Sequence, residues 1–286
     1  MKSKPSMVVK LENINFRYSA KSPLCLKDIS LQLMQGEYLV ILGKNGSGKS
    51  TLGNIIAGLY SNFSGKIELF QTPLNESSHS QLIQKIGLVF QNPESQFIGS
   101  TVENDLVFSL EILRCSPNEM PAKIMDIVQR MNIADILYHE PASLSGGQKQ
   151  KVAFASVLIS DPALIIFDEP TSLLDQRSKQ EIFQMINQIR EEGIKTLIEI
   201  THNIERAMFA DKILIIDEGE IKFFGNVAEF WKTGLPIIEK VSGLEAPFLY
   251  KLSSALQKQN QLKQVVWEKK EMVTQLCQLK KSKLKI

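Results

Sequence analysis

Gly43-Lys44-Asn45-Gly46-Ser47-Gly48-Lys49-Ser50 satisfies the pattern GxxxxGK[ST], which is suited to holding a chain of phosphates. Gly43, Gly46 and Gly48 let backbone N–H groups turn inward around an anion, and Asn45 belongs to the same binding loop. A helix beginning at Lys49 adds its positive N-terminal dipole to the same point. Lys49 is spaced to reach the β- and γ-phosphates, and Ser50 offers a hydroxyl to Mg²⁺, a hard cation that prefers oxygen. Thr51 is expected to cap or pack locally. The loop implies ATP or GTP, but such loops serve kinases, GTPases, helicases and transporters alike, so it does not define a function.

Leu164-Ile165-Ile166-Phe167-Asp168-Glu169 is an apolar run that ends in two acids. At a strand end, Asp168 can hold Mg²⁺ through water and Glu169 can polarise an attacking water. Alone, the run could equally be a buried strand with a charged exit. Leu144-Ser145-Gly146-Gly147-Gln148 opens a helix with a serine and two glycines, a second group of N–H donors aimed at an anion. One γ-phosphate does not need two such nests from the same chain.

The string LSGGQ at 144–148, followed by DEPTSLLD at 168–175 and THN at 201–203, resembles the ATP-binding cassette family over about residues 8 to 230. The resemblance implies an α/β P-loop NTPase fold of the ABC type, with a β-rich subdomain, a parallel α/β core, a helical insertion and a C-terminal helical appendage. It implies two cassettes paired head to tail, so that Ser145, Gly147 and Gln148 of one subunit close on ATP held by Lys49 of the other. Tyr18 resembles the aromatic that stacks on adenine. Gln91 resembles the glutamine that contacts Mg²⁺ and the attacking water while sensing the transporter. His202 resembles the switch histidine that hydrogen-bonds the γ-phosphate and helps hold the water beside Glu169. Asp175 resembles the aspartate that couples the two sites, and it is also placed to cap the next helix. The implied catalytic set is Glu169, His202 and Gln91, with Ser50, Gln91 and Asp168 serving the metal. Lys149-Gln150-Lys151 replaces a commoner arginine ending, and Lys151 cannot offer a bidentate fork.

Gln91-Asn92-Pro93-Glu94-Ser95-Gln96-Phe97, then Thr101-Val102-Glu103-Asn104-Asp105 and Phe108, resembles the energy-coupling factor transporters. In these, paired cassette ATPases serve a transmembrane scaffold and a substrate-capturing membrane protein, which implies uptake of a vitamin or metal ion from a post at the cytoplasmic face of the membrane. The stretch Gly243 to Phe248 with a leucine-spaced helix after it resembles the first of the two ATPases in the vitamin systems. A groove around Glu94 and Phe97 is expected to receive a basic helix of the membrane partner.

The elements that must position these residues are legible as periodicity. Val8 to Phe16 and Ile29 to Met34 read as strands, and Tyr38 to Leu42 is a short buried strand that runs into the phosphate loop and a helix ending near Leu59. Helices are expected near Gln81 to Ile86, Val102 to Leu113 and Pro121 to Met131, the last two inside a helical subdomain of about 92–160. After Ser145 a helix to Ser160, a strand at 164–167, a helix at Lys179 to Arg190 and strands at 196–201 and 213–217 continue the parallel core. The ATPase domain is expected to span 7–235. From 236 to 286, Leu252, Leu256, Leu262, Val266, Val273, Leu276 and Leu279 recur at helical spacing, an appendage expected to pack between paired ATPases.

At 286 residues the chain has room for one large domain and a tail, since single mixed domains run to roughly 250 residues. A net charge of +2 does not point to a nucleic acid, although eight lysines fall between Lys258 and Lys285 and are expected to form a solvated face. Cys25, Cys115 and Cys277 make no CxxC pair, against a disulfide framework or zinc site. No apolar run approaches the roughly 20 residues that span a bilayer, and the N-terminus lacks the apolar core of a signal peptide, so a peripheral role is expected. Only about 94 residues separate Ser50 from Leu144, too few for the long coiled coil of chromosome-maintenance ATPases, and one set of motifs argues against soluble two-cassette proteins. Another ABC importer, an exporter or a soluble cassette ATPase remains the alternative reading.

Overall fold

A computed structural model describes residues 6–238, 240–241, 244, 246–262, 265–266 and 271–277. Three fully buried runs form its centre. Tyr38–Leu42 (β3), Leu164–Asp168 (β7) and Thr196–Thr201 (β8) are buried at every position, as expected of parallel strands covered on both faces. With Ile86–Val89 (β6), Lys212–Asp217 (β9) and Glu220–Asn226 (β10) they make a six-stranded sheet in the order β10-β9-β3-β8-β7-β6. All neighbours are parallel except β10, which returns antiparallel to β9.

The register matters for chemistry. Leu42 pairs with Thr201 and with Ile215, and Asp168 pairs with Ile200, so the carboxyl ends of β3, β7, β8 and β9 form one edge. In open α/β sheets that edge is where ligands sit. Met7–Phe16 (β1), Leu26–Met34 (β2), Phe63–Leu69 (β4) and Thr72–Pro73 (β5) build a second, antiparallel sheet in the order β2-β1-β4-β5. Its inward residues Leu11, Ile14, Phe16, Ile29 and Leu33 share a core with Leu39, Ile41 and the helix Lys49–Ile56 (α1).

Glu76–Ile83 (α2) is capped by Asn75, and its last residue falls three short of the helix expected to reach Ile86. Ile86 instead starts β6, where the run IGLV pairs with β7; a four-residue apolar run is too short for its periodicity to tell strand from helix. Val102–Ile112 (α3), Met120–Met131 (α4) and Gly146–Leu158 (α5) follow, and Gln176–Glu191 (α6) starts three residues earlier than periodicity indicated because Asp175 caps it, accepting from the N–H groups of Arg177 and Ser178. Strands β4, β5, β6 and β10 were not among the expected elements.

Val227–Glu229 (α7) and Leu235–Ile238 (α8) are joined by one π-helical turn, Phe230–Gly234. Phe230, Trp231, Leu235, Ile238, Val241, Leu244 and Ala246 belong to the main core, so core packing runs past the expected division at residue 236. Phe248–Lys258 (α9) then ends near Asn260, whose φ of 58° breaks the single leucine-spaced helix, and Val266 N–H returns to donate to Ser253 Oγ at 2.6 Å. Leu262, Val266 and Met272 form a small cluster of their own, and residues 271–277 are helical. Gly243, Glu245, Leu279 and most of the tail lysines lie outside the described residues.

Candidate functional site

The phosphate loop leaves β3 and turns sharply because Gly48 takes φ 107°, where a Cβ would lie 2.7 Å from Leu26 Cδ2 and 3.0 Å from the Cys25 carbonyl. Lys49, 4% exposed, folds back into the loop and donates to the carbonyls of Gly43 at 2.8 Å and Lys44 at 2.9 Å. Burial lowers its pKa, and the carboxylates of Glu169 and Asp168 push the other way. Its ammonium lies 4.0 Å from Glu169 Oε1. A cleft of about 350 Å³ opens over this loop, lined by Tyr18, Asn45, Gly46, Gly48, Lys49, Ser50, Thr51, Gln91 and Glu169, with Cys25 at one wall.

Beneath the cleft Ser50 Oγ donates to Asp168 Oδ1 at 2.9 Å. Asp168 is almost wholly buried, and burial raises its pKa, with Glu169 adding to the effect while the Ser50 hydrogen bond and Lys49 oppose it. Ser50 and Asp168 present only hard oxygens, the donor set Mg²⁺ selects, and two protein oxygens suit an ion that completes its shell with phosphate and water. Among the described residues no group of three or more His, Cys, Asp or Glu could hold a metal unaided, which fits a metal that arrives with nucleotide.

Glu169 stands at φ 46°, a left-handed conformation that costs a non-glycine residue of order 1 kcal/mol or more and clusters at functional sites. It is held there by its N–H, which donates to Ile200 O at 2.9 Å, and by the Ser172 hydroxyl, which donates to Glu169 O at 3.1 Å. Gln91 Nε2 donates to Glu169 Oε2 and to Ser172 Oγ, both at 3.3 Å, and His202 Nδ1 lies 3.6 Å from the same Oε2. Gln91, Glu169 and His202 therefore converge on one carboxylate, although His202 itself faces an adjoining cavity of about 430 Å³ that shares Glu169. Ser172 was not singled out from sequence; its signal is a hydroxyl three residues after the acid pair.

At the rim Tyr18 keeps its hydroxyl 2.7 Å from Thr51 Oγ1 and its ring edge-on to Phe16 and Tyr60. Thr51 is thereby bound to Tyr18 as well as packed. Ser145 caps α5 in a reciprocal capping box with Gln148 that occupies the N–H groups of both residues, while Ser145 and Gly146 stay exposed. Ser145, Gly147, Gln148 and Asp175 do not line the Lys49 cleft. Asp175 performs its capping role. Glu94 is engaged by Lys149 at 2.5 Å, and Phe97 packs on the main core. Lys151 pairs with Glu181 at 2.7 Å, a single contact where a forked side chain could make two.

Comparison with known proteins gives the family. The family model described as ABC transporter matches residues 26–172. The chain is 44% identical over 249 residues to the energy-coupling factor transporter ATP-binding protein EcfA1 of Mycoplasma mobile, covering 87% of this chain and 90% of that one. It is 40% identical over 274 residues to the protein of the same name from Mesomycoplasma hyopneumoniae, covering 96% and 98%. Among solved structures it is similar to cbiO1 of Clostridium perfringens, part of the ABC transporter complex cbiONQ, with a TM-score of 0.72, 31% identity and coverage of 82% and 94%. A dimeric ATP-binding cassette in a post-hydrolysis state with ADP and Pi matches with a TM-score of 0.69, 30% identity and coverage of 77% and 98%. The chain belongs to the ABC transporter family, as one of its ATP-hydrolysing subunits.

Proposed function

We propose that this chain is an ATP-binding and hydrolysing subunit of an energy-coupling factor transporter, driving uptake of a vitamin or metal ion. The observation that carries the reading is the division of the site. Lys49, Ser50, Gln91 and Glu169 line one cleft, with Asp168 bonded to Ser50 and His202 beside Glu169 in the adjoining cavity, whereas the capped helix start at Ser145 lines neither, as a site completed by a second cassette requires. Relatives at 38% to 44% identity bear the energy-coupling factor name, which supports the transporter class.

In this reading the adenine lies on Tyr18, and backbone N–H groups from Asn45 to Ser50 hold the phosphates with Lys49 against the γ-phosphate. Ser50 and Asp168 hold Mg²⁺, with Gln91 approaching from β6; when bound, the ion neutralises charge on the β- and γ-phosphates. Glu169 accepts a hydrogen bond from the attacking water, Gln91 orients that water, and His202 donates to the γ-phosphate. Ser145, Gly147 and Gln148 of the partner cassette close the site, and Asp175 couples its two halves. The partner is a second ABC ATPase, identical or related.

The ATPase domain runs from residue 7 through the core residues Val241, Leu244 and Ala246, past the expected boundary at 235, with 92–160 its helical subdomain and the segment beyond them an appendage that contributes to pairing. An apolar cleft of about 400 Å³, lined by Leu59, Ile83, Phe90, Ile112 and Val157 among others, is the docking surface for the transmembrane scaffold; neither Glu94 nor Phe97 lines it. Among the described residues no helix is long and apolar enough to cross a membrane. The proposed post is the cytoplasmic face of the membrane, reached through the partners.

The test is purification of the detergent-extracted assembly through this subunit, identification of its companions by mass spectrometry, and comparison of wild type with Glu169→Gln. Expected are a second cassette ATPase, membrane proteins, and hydrolysis reduced by about 10² to 10⁴ with ATP binding retained. Recovery of the chain without membrane proteins would reject the transporter reading.

A further inference from the structure

Three buried polar side chains meet beside the turn that carries His202. Glu199 on β8 is fully buried, and Arg206 on the 3-10 helix Ile204–Phe209 is 2% exposed. Arg206 Nε donates to Glu199 Oε1 at 2.9 Å and Oε2 at 3.1 Å, and Nη2 donates to Oε2 at 2.9 Å. Tyr38, fully buried at the start of β3, donates its hydroxyl to Glu199 Oε2 and accepts from Arg206 Nη2 at 2.9 Å. The guanidinium also lies 4.5 Å from the ring centroid of Phe183 on α6, the helix that Asp175 caps. Burial works against charge on Arg206, but Glu199 and Tyr38 outweigh it and hold its pKa up, while burial pushes the Tyr38 hydroxyl well up. The cluster is therefore one carboxylate, one guanidinium and one neutral phenol bonded to each other, with Asn187 Oδ1 accepting from Arg206 Nη1 and Nη2 at 3.5 Å at its margin.

A buried ion pair is weak ground for stability, because apolar residues of similar volume often do as well. Its position gives it another use. Glu199 and Arg206 bracket Thr201, His202 and Asn203 from both sides, closing a bend of which they are the two ends. Inside the bend Asn203 N–H donates to Thr201 Oγ1 at 3.0 Å, and Arg206 N–H donates to Asn203 O at 3.1 Å. The His202 side chain is 56% exposed, so packing does little to place its ring, and the backbone must. The same strand holds Glu169 through Ile200 O.

We propose that the Glu199–Arg206–Tyr38 cluster is a positioning device that holds the His202 turn in register with Glu169 and so sets the rate of the hydrolytic step. This rests on the reading of His202 as a γ-phosphate ligand. A displacement of about 1 Å in a catalytic arrangement can cost up to 10²-fold, so a cluster that touches no substrate can still govern rate.

The test is single-turnover ATP hydrolysis by the purified assembly, which reads slow variants as well as fast ones. The variant Tyr38→Phe/Glu199→Leu/Arg206→Met removes the three buried polar groups together and leaves no uncompensated charge, and it frees only Asn187 Oδ1, which is half-buried. Expected are a thermal midpoint within a few degrees of wild type, an ATP affinity within about twofold, a rate lower by about tenfold, and no further loss when His202→Ala is added. If the triple variant does not assemble, Arg206→Lys and Tyr38→Phe go through the same cycle, with losses again absorbed by His202→Ala. An unchanged rate in folded cluster variants, or a loss that multiplies with His202→Ala, would overturn the proposal. Full activity of His202→Ala alone would overturn the reading of the site, and this inference with it.

Discussion

Ser50 Oγ and Asp168 Oδ1 lie 2.9 Å apart, joining the first turn of α1 to the last residue of β7 across 118 positions of sequence. The bond puts a carboxylate in a nearly dry place, and burial raises its pKa above 3.8. A raised folded-state value means that the group adds stability below its unfolded value and loses it as pH rises through the folded one. At neutral pH the ionised Asp168 is thus a cost the fold carries for function. Asp168→Asn is expected to raise the thermal midpoint of the nucleotide-free protein at pH 7, and the gain should fade as pH falls toward 3.8. Hydrolysis should meanwhile drop by about 100-fold or more. Calorimetry at the two pH values, alongside an ATPase assay, checks both; a lower midpoint at pH 7 would contradict the account.

Tyr18 is 57% exposed at the cleft rim, with its hydroxyl on Thr51 and its ring braced by Phe16 and Tyr60. Such bracing leaves a ring face free for a base, and stacking of a base on an aromatic contributes about 1–3 kcal/mol. Tyr18→Ala should weaken ATP binding by about tenfold, and Tyr18→Phe, which keeps the ring, should change it little. Titration with a fluorescent nucleotide separates the two; equal weakening by both variants would assign the effect to the Thr51 hydrogen bond.

The sheet centre was legible because strands buried on both faces are written as continuous apolar runs, and YLVIL and LIIFD leave no other reading beside a phosphate loop. β4, exposed over Ser64–Lys66, and two-residue β5 carry no such signal, and β6 is a four-residue apolar run whose partner, β7, lies 78 positions away in register. Lys49, Ser50, Asp168 and Glu169 were readable from spacing, since each motif is local. The convergence of Gln91 and His202 on Glu169 came from family resemblance, because glutamine and histidine at strand ends say nothing alone. Glu199, Arg206 and Tyr38 were missed altogether: a charge inside an apolar strand reads as a defect until its partner, seven residues on and across a turn, is seen. The leucine spacing of the tail misled for a related reason. Periodicity continues through Asn260, and only a left-handed residue in the structure shows the helix stopping there.

Gly147 lies buried where α5 crosses α6. A Cβ there would come within 2.4 Å of Ser178 Oγ and 2.9 Å of Ser178 Cβ. Ser178 cannot swing away freely, since its hydroxyl donates to Asp175 Oδ2 at 2.7 Å. Gly147→Ala is therefore expected to destabilise the protein by about 1–3 kcal/mol through overpacking. Ser178→Gly in the same chain should recover much of that loss, and Ser178→Ala should recover less because it keeps the Cβ. Chemical denaturation of the three variants measures this directly, and no recovery with Ser178→Gly would show that the contact is not the cause.

Asp105 is 4% exposed, and it ties the segment after Gln91 to the helices around it. Oδ1 accepts from the N–H groups of Ile98 at 2.9 Å and Gly99 at 3.1 Å, and Oδ2 accepts from the Ser156 hydroxyl at 2.7 Å. One side chain thus satisfies two backbone donors of a loop and one hydroxyl of α5. Removing an acceptor from a buried donor costs about 1–3 kcal/mol per group left unpaired. Asp105→Ala should therefore cost about 3 kcal/mol, allowing for partial solvation of the loop. In a chain of this size that lowers the thermal midpoint by roughly 6–12 °C. Ser156→Ala removes only the donor and leaves both backbone bonds, so about 1 kcal/mol is expected. ATP affinity of the folded Asp105→Ala protein should stay near wild type, since the cleft over Lys49 takes no part in these bonds. Thermal melts with nucleotide titration decide the point: a stability loss no larger than that of Ser156→Ala would mean that the loop donors find water when the carboxylate is gone.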